Sequence, residues 1–246
     1  MKLDLETVEK TLEAVKRETD PVKWSSLMNI KGMLLRNKGD FKGAESAFIS
    51  ALYVDDAVLK CKILINYATT EFLKKDMVRA IQVIDRFFEL AKANKKLQLN
   101  LFLGYAHLLK GEITYHRGDE KAALSEFKKA EFFFEGTTDA RGVGLSCLEI
   151  ARIHIKGRNL TTAWNFLRRA EVFLSRLGNE EKLGIAVCKG IALYYSDKAD
   201  EAMALMDAAY REAGIDRGAY RYVMDEVLDV YLDTGWRMLN SQQSLM

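Results

Sequence analysis

The sequence predicts an all-α fold of about five consecutive helical hairpins, and three observations carry that prediction. A small residue recurs as Gly32, Ala68, Gly111, Ala151 and Gly190, each followed by a reversal: Gly39-Asp40, Lys75-Asp76, Gly118-Asp119, Arg158-Asn159 and, degraded, Asp197-Lys198. After each reversal come three helix-spaced positions: Ala44, Phe48 and Ala51; Ala80, Ile84 and Phe87; Ala123, Phe127 and Ala130; Ala163, Leu167 and Ala170; Ala202, Met206 and Ala209. Spacings of four and three put each set on one helical face, where small residues let two antiparallel helices approach and the bulky one fills the remaining space. Finally, Pro21 is the single proline in 246 residues and no Ser/Gly/Pro-rich linker interrupts the chain, so one continuous domain over 1–246 is expected.

The elements follow in order. Leu5, Val8, Leu12 and Val15 recur at helical spacing, so residues 3–18 read as an amphipathic helix capping the first hairpin, within a cap segment of 1–20. Asp20 then serves as N-cap and Pro21 as first helical residue, where its missing N–H costs nothing. Trp24, Leu27 and Met28 open the first helix of repeat one, and the five repeats occupy 22–213. Between repeats two and three the extra length Ala93 to Leu101 reads as a loop followed by an elongated first helix, which would make repeat three the tallest. Phe132, Phe133 and Phe134 end its second helix and cannot all face one way, so at least one meets a neighbouring loop, repeat or partner. From Arg217 to Leu239, Tyr220, Val223, Met224, Val227, Leu228, Tyr231 and Leu232 define a C-terminal capping helix (216–240). Its wide apolar face is also a candidate homodimer contact.

This pattern resembles the tetratricopeptide repeat, with its W-x2-L-G-x2-Y…A-x3-F…P signature. The Gly, Ala and Phe/aliphatic skeleton is present. The tryptophan slot holds Met28, Leu64, His107, Cys147 and Ala186, the tyrosine slot holds Leu35, Glu71, Thr114, His154 and Leu193, and the terminal proline is absent. Successive alanine slots lie 36, 43, 40 and 39 residues apart, longer than the family period and similar to the variants of roughly 40 residues in kinesin light chains and some bacterial regulatory proteins. The resemblance implies a right-handed α-α superhelix with a concave surface lined by first helices. Lys62 and Asn66 resemble one piece of the carboxylate clamp of chaperone-binding repeats, but its other positions hold Asn29, Met33, Tyr105 and Leu109.

Composition bounds the chemistry. A net charge of +2 gives no global attraction to nucleic acid or to an anionic membrane, and no apolar run is long enough to span one. The acidic amphipathic start lacks the features of a signal peptide, and Cys61, Cys147 and Cys188, widely spaced, suit reduced core thiols, so a cytoplasmic protein is expected. His107 and His116, nine residues apart in repeat three, and His154 in repeat four form no His-x-x-x-His pair, so neither metal nor cofactor is expected. Gly142-Val143-Gly144 has no third glycine, preceding strand or Gly-Lys-Ser/Thr, and no nucleophile motif appears, so an enzyme is not expected.

Function, if it follows the resemblance, sits on the concave face. Its partner-binding candidates are Arg36, Phe72, Tyr105, Glu112, Tyr115, Arg152 and Tyr194, accompanied by Met33, Ile65, Thr69, Leu108, Leu148, Ile155, Val187 and Ile191. Tyrosine and arginine bury area while keeping a polar tip, which suits a surface holding a peptide or amphipathic helix. The expected function is a protein-binding scaffold or adaptor. The rival is a receptor module sensing a peptide or small ligand, similar to the helical-repeat domains of bacterial regulators.

Overall fold

A computed structural model describes residues 4–174, 179–205 and 208, and every regular element among them is helical. The helices are α1 (Leu5–Ala14), α2 (Pro21–Asn37), α3 (Phe41–Ala51), α4 (Ala57–Leu73), α5 (Met77–Ala93), α6 (Asn100–His116), α7 (Glu120–Glu135), α8 (Ala140–Lys156), α9 (Leu160–Leu174) and α10 (Asn179–Tyr194). A further helical segment begins at 199. Met206, Ala209, the helix expected at 216–240 and the homodimer contact assigned to it lie outside the described residues.

The reversals are built as the sequence indicates. Gly39, Lys75, Gly118, Arg158 and Asp197 all adopt positive φ, between 59° and 86°. Next to them the Asp40, Asp76 and Asp119 carboxylates accept from the backbone N–H of Gly43, Arg79 and Ala122 at 2.9–3.0 Å, and Asn159 accepts from Thr162 at 3.4 Å. The same device starts α1 at Asp4, α2 at Asp20 and α4 at Asp56. Each cap satisfies a backbone donor that the first helical turn leaves without a partner.

The residues group into two compact units, 1–137 and 138–246. In the first, α1 packs on α2, and the hairpins α2/α3, α4/α5 and α6/α7 follow. Each new first helix touches both helices of the hairpin before it: α4 meets α2 and α3, and α6 meets α4 and α5. In the second unit, α10 meets both α8 and α9 in the same way.

The repeating slots form the interior. A Cβ placed on Gly32 would lie 2.6 Å from the Phe48 ring, and one on Gly111 would lie 2.5 Å from Phe127, so each bulky residue fills the hollow left by the small one of its own hairpin. Ala68 with Ile84 and Ala151 with Leu167 hold the equivalent positions, all fully buried. A second fit seven residues further out is absent from the expected pattern: Gly104 against Phe134 and Gly144 against Leu174. Gly144 is therefore a packing residue. Cys61, Cys147 and Cys188 are free and buried, and burial, with Asp56 nearby, pushes the Cys61 thiol up to about 11, where it is not a nucleophile.

Two expectations about length are corrected. α1 ends at Ala14, not near residue 18. α6 is not elongated, since α2, α4, α6 and α8 are all 17 residues long. The extra length after repeat two lies in the connection 94–99 and in α5, 17 residues against 11 in α3. The Phe triplet divides: Phe134 is buried, Phe133 stacks on His107 with centroids 5.3 Å apart, and Phe132 is 70% exposed.

Candidate functional site: the face of the first helices

In unit 1 the first helices α2, α4 and α6 lie side by side, and two contacts tie them together. The Asn66 amide on α4 donates to the Asn29 carbonyl on α2 at 3.0 Å, and Asn29 is itself buried. On the other side of α4, the Phe72 ring lies 5.5 Å from the His116 ring on α6, and Tyr115 meets His116 edge-on at 6.0 Å. Asn66 is thus engaged in holding two helices together, which removes it from the clamp role that its spacing from Lys62 suggests.

Of the expected binding residues, Arg36, Phe72, Tyr105, Glu112 and Tyr115 belong to unit 1, and all are half-buried. By register Arg36, Phe72 and Tyr115 form one row across α2, α4 and α6, while Met33, Thr69 and Glu112 form the adjacent row. Phe72, Glu112 and Tyr115 converge on His116, whose Nε2 is 3.9 Å from the Glu112 carboxylate. Tyr105 stands apart from them: its ring packs edge-on against Phe134 of the same hairpin at 4.9 Å.

The two remaining candidates belong to unit 2. Arg152 is buried beside Glu149, its guanidinium 2.5 Å from the carboxylate. Tyr194 is half-buried next to Tyr195, with Ile191 one turn before it, whereas Leu148, Ile155 and Val187 are buried.

Sequence spacing did not single out His116, yet it is the plate on which Phe72 and Tyr115 rest. Charged clusters elsewhere are structural. The Glu45 carboxylate joins Tyr67, Lys74 and Arg79 across α3, α4 and α5. Fully buried Glu71, in the family's tyrosine slot, meets Lys74 at 3.0 Å, and its second oxygen has no hydrogen-bond partner among the described residues. Between α6 and α7, His107 Nδ1 lies 2.7 Å from Glu126, and Lys129 reaches its other oxygen at 2.7 Å. An ionised carboxylate only accepts, so His107 carries its proton on Nδ1. Burial opposes the Glu126 charge, but the bonds and charges of His107 and Lys129 outweigh it and bring the carboxyl down to about 2. No group of three or more potential ligands among the described residues is placed to hold a metal, and no described helix is long and apolar enough to cross a membrane.

No protein-family model matches this chain, and no curated protein matches it. Among solved structures it is similar to BtubC (BKLC) from P. vanneervenii, with a TM-score of 0.70 and 15% identity over 87% of this chain and 91% of that one. The match shows a shared helical-repeat fold. A complex of the TPR2AB domain of yeast Sti1 with pHSP90 also matches, at a TM-score of 0.40 and 16% identity over 94% of this chain and 90% of that one, too weak to carry an argument.

Proposed function

We propose that this chain is a protein-binding scaffold or adaptor of the tetratricopeptide-repeat type, acting in the cytoplasm, that holds a peptide or partner helix on its first-helix face. One observation supports the reading. In unit 1 three adjacent first helices leave Met33, Arg36, Ile65, Thr69, Phe72 and Tyr115 half-buried on one face, an apolar and aromatic surface with few charges. Such side chains are already partly ordered by their neighbours, so a partner that covers them gains buried area at small entropic cost. The small and bulky slots, by contrast, are spent on packing inside each hairpin.

Affinity capture of the tagged chain from its native host, followed by mass spectrometry, tests the proposal. The expected result is a protein partner retained by the native chain and lost from a Phe72→Ala/Tyr115→Ala variant whose melting temperature falls by only a few degrees. Unchanged capture by the double variant places the binding surface elsewhere.

A further inference from the structure

Arg36 differs from the other half-buried lysines and arginines among the described residues. Lys31 is held by Glu9 at 2.8 Å, Lys60 by Asp55 at 3.6 Å and Lys189 by Glu171 at 2.6 Å. Arg17 lies over the rings of Trp24 and Tyr53, and Lys110 over that of Phe88. Arg36 has no carboxylate, hydrogen-bond acceptor or ring as partner among the described residues. Burial strips part of its hydration and holds the guanidinium below its usual pKa, with no countercharge from the described residues in return. Its place in the last turn of α2 gives only the weak attraction of the helix terminus.

The carboxylate of the adjacent row, Glu112, lies 3.9 Å from His116, and the row itself holds no anion. Phe72 and Tyr115 continue it across α4 and α6, and Met33 precedes Arg36 by one turn. Toward the other end of α4, Lys62 is exposed and is a second cation without a carboxylate partner among the described residues. A desolvated guanidinium whose donors meet no acceptor among the described residues, in the same row as half-covered aromatic rings, is complementary to a carboxylate attached to something apolar. Packed helices lie about 8–10 Å apart, a step that an extended chain covers in about three residues at roughly 3.3 Å each.

We propose that Arg36 anchors an acidic peptide: an Asp or Glu side chain of an extended partner segment pairs with its guanidinium, while an apolar side chain about three residues away lies against Phe72 and Tyr115. The inference rests on the first-helix face being the binding surface and specifies the chemistry of what it takes. The carboxylate is a side chain rather than a chain terminus, because a terminal carboxylate calls for converging donors, and Asn66, the amide whose spacing from Lys62 resembles part of a clamp, is engaged with Asn29.

The test uses the full chain and fluorescence polarisation with C-terminally amidated probe peptides. In them Glu and Leu are fixed three residues apart and the other positions are degenerate in Gly, Ser and Ala; the comparison pools carry Gln or Lys in place of Glu. The Glu pool should bind about ten- to a hundredfold more tightly than the Gln pool. Arg36→Gln should abolish that preference, with no further loss when the Gln pool meets the Arg36→Gln protein, and Arg36→Glu should favour the Lys pool. Arg36→Lys, which keeps the charge without the fork, should restore part of the preference, and melting curves confirm that each variant folds. Equal binding of the Glu and Gln pools, or a Glu preference that survives Arg36→Gln, overturns the inference. If Phe72→Ala and Tyr115→Ala still weaken both pools in that case, the first-helix surface stands and only the role of Arg36 falls. If no pool binds, or none of these substitutions alters binding, both fall together.

Discussion

Gly111 and Lys75 answer to different demands, one of space and one of backbone angle. A methyl group on Gly111 has nowhere to go, because the Phe127 ring occupies its position at 2.5 Å and Phe127 is itself fully buried. Gly111→Ala should therefore cost about 1–3 kcal/mol of stability, read as a lower urea midpoint at unchanged slope. Lys75 has room but the wrong angle, since its φ of 67° is one that side chains with a Cβ resist. Lys75→Gly should stabilise by about 0.5–1 kcal/mol in the same measurement. Both residues occupy positions that the repeat register identifies. Register places Lys75, Arg158 and Asp197 in the slot of Gly39 and Gly118, but their side chains carry no left-handed signal of their own, and the angle is imposed by the capped helices on either side. Arg36 was legible as a surface candidate but not as one without a partner among the described residues, because pairing depends on which carboxylates neighbouring helices bring near.

At the scale of elements, helix existence and order could be read from spacing, whereas helix length could not. The added residues of repeat two extend α5 and the connection 94–99, and nothing in the slot pattern distinguishes that from a longer α6, since both continue an amphipathic run. Contacts between helices were also hidden. His107 occupies a packing slot, but its role is to join α6 to Glu126 of α7 while its ring lies between those of Phe88 and Phe133. The arrangement has a signature in pH. Glu126 is brought from an ordinary 4.5 down to about 2, so it adds stability that is fully present above pH 4.5 and is lost as pH falls through about 2. Over that window the native chain should lose roughly 2–3 kcal/mol more than Glu126→Gln does, measured by urea unfolding of the two proteins at stepped pH. Identical acid profiles would mean that the carboxylate gains nothing from His107 and Lys129.

At the scale of the molecule, the sequence predicts one uninterrupted stack, and the described contacts gather into the units 1–137 and 138–246. Unit 1 contains α1 and three complete hairpins, each closed by its own small and bulky slots, so a fragment of residues 1–137 should fold alone. Circular dichroism should show a helical spectrum and a single cooperative melt. A non-cooperative melt would mean that this unit depends on the remainder of the chain. The fold class was legible because periodicity is a property of the whole chain and survives the loss of individual signature residues. The proposed binding face was legible only in part, since register tells which way a residue points but not whether a neighbour covers it: Arg152 holds a register position equivalent to Glu112 and is buried. The fit of Gly32 to Phe48 and of Gly111 to Phe127 has a consequence for how such a chain can change over time. Both halves of each fit are encoded within a sixteen-residue interval, so a gene segment spanning one repeat carries lock and key together. Copying or deleting such a segment in frame would leave every surviving hairpin with its own complement, and lineages of this protein could differ in repeat number without having to re-match their cores.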